Sequence, residues 1–330
     1  MTSAPRNDEQ GVILIALMWI LVALSVIALS FSRESRVDVS VARNTRDLTV
    51  AYYVARAGIQ TAVFRLLERV YAPPVQGIET QEPTPLDLGE LQGDFGGGAY
   101  RVEIQDEAGK INLNFVTEDQ LRALFAAIGI PKENADVITD SIMDWRDVDK
   151  AHRINGAEDD YYEQLPHPYK AKNGRIETVE ELLLVRGVTS EYYYGQWEKG
   201  QDGSRRYLYG LSRCFTVYSN SNRININYAP PEVLMSVPGM TPQIAQMIYE
   251  RRKVKPFRTP ADLTSDLSIT LGPQTLPFLS TDRSMIYTLT AYAHMENSKV
   301  KRVIRAVVSL DPSQINRYKI VYWNENISDL

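Results

Sequence analysis

Glu9-Gln10-Gly11-Val12-Ile13-Leu14-Ile15-Ala16-Leu17-Met18-Trp19-Ile20 decides how this chain is read. A short polar leader stops at one glycine. An apolar run then lasts to Phe31, broken only by Ser25 and Ser30, whose hydroxyls can bond to their own helix backbone. About 20 apolar residues, rising about 1.5 Å each, span a bilayer core of roughly 30 Å. A simple signal anchor meets that description. A secretory signal peptide competes through Ala28-Leu29-Ser30, but the leader is not basic and the run exceeds a normal h-region. The glycine at the polar/apolar border and the continuation of the helix point beyond both.

From Ser32 to Val70 there is no proline, and Gly58 is the only glycine. Leu48, Tyr52, Ala55, Ile59, Ala62, Leu66 and Val70 recur every three or four residues, the apolar stripe of an amphipathic helix. Pro73-Pro74 stops it, since proline lacks an amide hydrogen and clashes with the preceding turn. One helix of about 60 residues, or roughly 90 Å, is expected, its first third in lipid and the rest packed on a soluble body.

The 330 residues allow two or three modest domains. With 41 acidic and 36 basic side chains the net charge is −5, so no basic field recruits nucleic acid. Cys214 is the single cysteine, which excludes an internal disulfide. Arg6 before the apolar run and Arg33 and Arg36 after it leave membrane orientation unset by the positive-inside rule.

Ala72 to Gly98 lacks periodicity and reads as a surface connection, and Ala99 to Gln105 alternates as a strand. Then a repeat appears. Ile111-Asn112-Leu113-Asn114 leads to a helix, a turn at Gly129 and a second helix from about Asn134 to Asp144. Ile224-Asn225-Ile226-Asn227 leads to Pro231–Leu234, a turn at Gly239 and a helix from Gln243 to about Lys253. Val179 to Val188 is a shorter echo. Such repeats are duplicated supersecondary units. Met285–Ala293, Lys299–Leu310 and Tyr318–Trp323 close the chain as strands, the first two joined by a hairpin turn at Asn297-Ser298.

The repeat resembles the helix-hairpin-helix of DNA-binding proteins, whose Gly-hydrophobic-Gly turn aims backbone amides at phosphate. Here the second glycine is replaced each time, by Pro131, Thr189 and Thr241. Arg251, Arg252, Lys253 and Lys255 form a short basic run, which a solvated helix face explains as well.

Asp147 and Asp149 have Asp-x-Asp spacing, and Glu158, Asp159 and Asp160 return after Gly156. Calcium takes six to eight oxygens from such loops, and carboxylates crowded without a cation repel each other. These five acids are the candidate metal ligands. Helix capping and pairing with Arg146 and Arg153 is the plainer explanation, and the spacing is not that of an EF-hand. His152, His167 and His294 are isolated, and no nucleophile elbow or phosphate loop is present, so the chain reads as a non-enzyme.

Nearly the whole chain resembles the K minor pseudopilins of type II secretion (general secretion pathway protein K). The residues that carry the resemblance include the leader glycine and apolar helix, Ser32-Arg33-Glu34-Ser35-Arg36-Val37, Ala55-Arg56-Ala57-Gly58-Ile59, Asp106-Glu107-Ala108-Gly109-Lys110, Asp144-Trp145-Arg146-Asp147, Asn155-Gly156-Ala157-Glu158-Asp159 and Ala229-Pro230-Pro231-Glu232. The resemblance implies an α+β, pilin-like fold: a long N-terminal transmembrane helix packed on an antiparallel sheet, with a large helical insertion of helix-hairpin-helix or SAM-like repeats. It divides the chain into a leader at 1–11, a transmembrane helix at 12–31, and the helix and first strands of the body at 32–112. The helical insertion takes 113–210, a second hairpin unit takes 223–283, and the remaining sheet takes 211–222 and 284–330.

The resemblance also implies cleavage by prepilin peptidase after Gly11 and methylation of Val12. The helix would sit in inner-membrane lipid with the body in the periplasm. The place implied is the pseudopilus tip, with minor pseudopilins I and J (and H), and nucleic acid is no partner. Most pilins carry glutamate at the fifth position after the scissile bond, where it neutralises the terminal amine of the subunit above. Here that position is Ala16, as expected of a subunit with nothing above it. Val12 in place of phenylalanine and the acidic leader depart from the pilin pattern. A minor pilin of a type IV pilus is the alternative within the same fold, and a DNA-binding protein the alternative outside it.

Overall fold

The computed structural model describes residues 8–71, 90–199, 205–282, 285–296, 298–325 and 327. Helix α1 (Asp8–Tyr71) is a single element of 64 residues. The exposure of Gly11 and the side chain of Val12, and the stop at Pro73-Pro74, lie outside what the structure describes. Ala51, Val54, Ala55, Ile59, Ala62, Val63 and Leu66 are buried. Leu48, expected to head the apolar stripe, is 43% exposed, because packing on the body begins just after it, at Val50 and Ala51.

The body starts with a hairpin of β1 (Glu90–Phe95) and β2 (Gly98–Asp106). Gly96 and Gly97 turn it with φ of 60° and 81°, a region glycine enters without steric cost. β1 corrects the expectation of a plain connection up to Gly98. Only Leu91 of this strand is buried, so its sequence shows no alternation.

The insertion follows. A 3-10 turn at Glu107–Gly109 leads into β3 (Ile111–Asn112), α2 (Glu118–Ile128), α3 (Lys132–Arg146), α4 (Asp159–Tyr162) and α5 (Ser190–Tyr194). A hairpin of β4 (Gly195–Lys199) and β5 (Arg205–Tyr209) comes next, then α6 (Leu211–Cys214) and β6 (Phe215–Thr216). The second repeat holds β7 (Ile224–Asn225), α7 (Pro231–Leu234), α8 (Pro242–Val254), α9 (Asp262–Leu267) and β8 (Leu279–Ser280). β9 (Ile286–Met295), β10 (Lys301–Leu310) and β11 (Tyr318–Asn324) return to the body. The hairpin residue Asn297 lies outside the described residues.

The sheet is antiparallel in the order β1-β2-β9-β10-β11. Its inner face presents Val102, Leu289, Ala291, Ile304, Ala306 and Val308 to α1, forming one core. Gly58 sets the approach of helix and sheet. A Cβ there would lie 2.8 Å from Tyr100 and 2.9 Å from Val102. Gly58→Val therefore forces them apart, at a cost of about 1–3 kcal/mol typical of overpacking. Its urea midpoint is expected below wild type, and an unchanged midpoint refutes close approach.

A second core runs from Ile111 to Leu279 and joins both repeats, so the segments at 113–210 and 223–283 share one interior. The Ile-Asn-x-Asn pattern has a physical reason in each copy. Asn112 accepts from the amide of Asn114 at 2.8 Å, and Asn225 from that of Asn227 at 2.9 Å, two matching Asx turns. Asn114 exchanges two bonds with the backbone of Ile176 at 2.9 Å, and Asn227 two with Phe257 at 2.8 and 2.9 Å. The isoleucines pair in short parallel ladders, β3 with β6 and β7 with β8.

Candidate functional site

Two regions carry features beyond packing: the acidic loop after α3 and the free part of α1.

α3 ends at Arg146, whose guanidinium donates to the carbonyls of Leu113 (2.6 Å) and Val116 (2.8 Å). The helix is thereby pinned to the first repeat, and Asp147 follows as its C-cap. The loop then doubles back. Asp140 accepts from the backbone and side chain of Asn155 at 3.1 and 3.0 Å, and buried Asp144 accepts from the amide of Arg153 at 3.2 Å. Gly156 packs so closely on Asp144 that a Cβ would fall 1.8 Å from its Oδ2. These ties bring Glu158 back against Asp147.

Carboxylate oxygens of Asp147, Asp149 and Glu158 lie within 4.8 Å of one another. Glu158 is 2% exposed, and neither of its oxygens has a hydrogen-bond partner. Asp147 Oδ1 is likewise buried and unpartnered, as is Oδ1 of Asn173, whose amide lies beside Glu158. Burial, then the charges of Asp144 and Asp147, pushes the Glu158 carboxyl above its usual range. Burial and Asp149 do the same for Asp147. Four buried oxygens that make no close hydrogen bond, with the Asn173 amide beside Glu158, suit a hard cation such as Ca²⁺. Bound there, it would add to the charge of Arg153, 3.5 Å from Asp147 Oδ2, in offsetting three crowded carboxylates.

Asp159 and Asp160 do not join this cluster. Asp159 pairs with Lys150 at 3.2 Å and accepts from the amide of Ala171 at 3.0 Å. Asp160 meets His152 at 2.9 Å. Both stand on the first turn of α4, which directs them to Lys150 and His152. Asn173 was missed in the sequence because it comes from a different loop, and nothing in its local pattern marks it.

Three cations of the basic run, all on α8, are committed internally. Arg252 is 7% exposed and donates to the carbonyls of Ile226 and Ala229, the counterpart of Arg146 in the first repeat. Arg251 pairs with Asp266, and Lys253 with Glu250 at 2.8 Å.

On α1, residues from Ile13 to Phe31 are exposed, Ala16 among them, over a stretch of mean hydropathy 2.8 with 0% buried. The Ser25 hydroxyl donates to the carbonyl of Leu21 at 2.7 Å, so it adds no unpaired donor to that surface. The helix is long and apolar enough to cross a membrane.

The family model for type II secretion system protein K matches residues 105–195, and that for the helix-hairpin-helix motif matches 219–276. Type II secretion system protein K of Pseudomonas aeruginosa is 25% identical over 294 residues, 82% of this chain and 80% of that protein. The same-named protein of Pectobacterium carotovorum is 32% identical over 116 residues, 33% of this chain and 35% of that one. The crystal structure of the GspK-GspI-GspJ complex of enterotoxigenic Escherichia coli contains a chain with the same fold. The TM-score is 0.64 at 16% identity, covering 87% of this chain and 99% of that one. The exposed apolar helix, the sheet it packs on and these matches define a minor pseudopilin of a type II secretion system. Along most of its length the chain is similar to type II secretion system protein K.

Proposed function

We propose that this chain forms the tip of the pseudopilus and starts its assembly together with minor pseudopilins I and J, with H joining below. The observation that carries the reading is Ala16 on a fully exposed apolar helix. Helices in lipid associate through packing and through neutralisation of polar groups. A subunit without a carboxylate at this position cannot neutralise a terminal amine above it, whereas glutamates of later subunits can still reach its own amine. The broad insertion supports the same place, because it packs on part of the sheet face opposite α1 and adds bulk to the head. The complex solved for the Escherichia coli relative supports I and J as partners.

In this reading prepilin peptidase removes the leader after Gly11 and Val12 is methylated. The apolar helix anchors the chain in the inner membrane, and the body lies in the periplasm. The acidic loop takes Ca²⁺ through Asp147, Asp149 and Glu158, with Asn173 as a further oxygen.

Cysteine crosslinking along α1 in assembled pseudopili tests the tip. One copy per fibre, at an end and joined to I and J, is expected, with secretion lost on deletion. Repeated crosslinks along the shaft refute it.

A further inference from the structure

A second polar site lies between the outer face of the sheet and the insertion. The two cores do not merge there. They are separated by a cavity of about 50 Å³ walled by β9, β10 and β11 on one side and by the Glu107–Lys110 turn, α5 and α6 on the other. Waters need roughly 10–15 Å³ each by this measure, so three or four would fit, or one carboxylate- or phosphate-sized group.

The bonding in its wall is lopsided. Each carboxylate is already engaged. Glu107 takes the Lys110 ammonium and the Thr288 hydroxyl, the latter at 2.6 Å. Glu180 accepts from the Tyr322 hydroxyl at 2.8 Å, and Glu103 faces Arg101 at 3.5 Å. Three donors are left over. Tyr193 is 1% exposed, and its hydroxyl has no partner. Among the described residues, the guanidiniums of Arg213 and Arg305, which line the same cavity, have no hydrogen-bond or ion-pair partner. Burial pushes the Tyr193 phenol up, so it remains a donor at any physiological pH. A buried donor left unpaired costs free energy, as at the Tyr193 hydroxyl, while the half-buried Arg213 and Arg305 place positive charge beside it.

We propose that this cavity binds a small oxyanion, held by Arg213, Arg305 and the Tyr193 hydroxyl, and that the bound ion bridges the insertion to the sheet. Lys110, although neutralised by Glu107, adds to the positive side of the field.

The test uses the detergent-solubilised full chain. Inorganic phosphate and acetate are titrated against chloride at matched ionic strength, with melting temperature as the readout and a crystal grown from the saturated sample. One of the two oxyanions should raise the melting temperature above the chloride control and appear against Arg305. The titration that saturates tells phosphate from carboxylate. Arg305→Gln with Arg213→Gln should weaken binding by about tenfold or more, the scale of hydrogen bonds to charged groups, and Tyr193→Phe by a smaller factor. Arg305→Lys, which keeps the charge, should recover part of the affinity. Circular dichroism and the ion-free melting temperature establish that each variant folds. The proposal is overturned if neither ion exceeds chloride, if the double variant responds like wild type, or if the crystal shows waters alone.

Discussion

Gly11→Arg is expected to leave an uncleaved precursor in the membrane, whereas the wild-type chain is expected to lose Met1 to Gly11 and to gain one methyl group on Val12. The expectation rests on the border at which Gly11 stands, where a polar leader meets an apolar run. A residue without a side chain presents the scissile carbonyl to a peptidase without obstruction. Arginine adds bulk and a charge at the membrane surface. The backbone is already helical from Asp8, so a change in cleavage reports the side chain and not a new local fold. Intact-mass measurement separates the outcomes. A wild-type chain of full mass, or one cut after Ser30, sinks the processing reading.

Calcium at millimolar concentration should raise the melting temperature of the wild-type chain, and Asp147→Ala with Glu158→Ala should abolish the rise. Binding only to the folded state stabilises by about 2.7 kcal/mol at a hundredfold excess over Kd. At roughly 2–4 °C per kcal/mol for domains of about 150–250 residues, the shift is of order 5–10 °C. A second readout separates a cation site from an ordinary polar network. Without calcium the three carboxylates repel and two of them lose solvation, so the double variant should be no less stable than the cation-free wild type. A wild-type chain indifferent to calcium makes the cluster structural only. A variant much weaker than the cation-free wild type gives the carboxylates another role.

Periodicity made the long helix, the three closing strands and the duplicated Ile-Asn-x-Asn units legible in the sequence, because each is a local pattern with one physical cause. β1 was hidden, since an edge strand burying one residue leaves no alternation to see. In the acidic loop, composition revealed the concentration of carboxylates but not their directions. Glu158 and Asp159 are neighbours in sequence, yet one turns inward to Asp147 and the other outward to Lys150. Asn173 and Asp144 enter through tertiary folding alone. The basic run on α8 showed only its charge in the sequence, for a similar reason: the burial of Arg252 depends on the loop at Ile226 to Ala229, which lies far from it in sequence.

The insertion leaves and re-enters the sheet at a single rung, Asp106 opposite Tyr287 on adjacent antiparallel strands. Directly opposed residues in such a ladder stand only about 4.5–5.5 Å apart. The helical head is thus grafted into what would otherwise be a tight hairpin. Its size and sequence can change without breaking any bond of the five-stranded sheet. A lineage carrying this body can therefore acquire, enlarge or exchange its head in one step, and a designer can replace it with a short turn or with a foreign domain whose ends lie equally close.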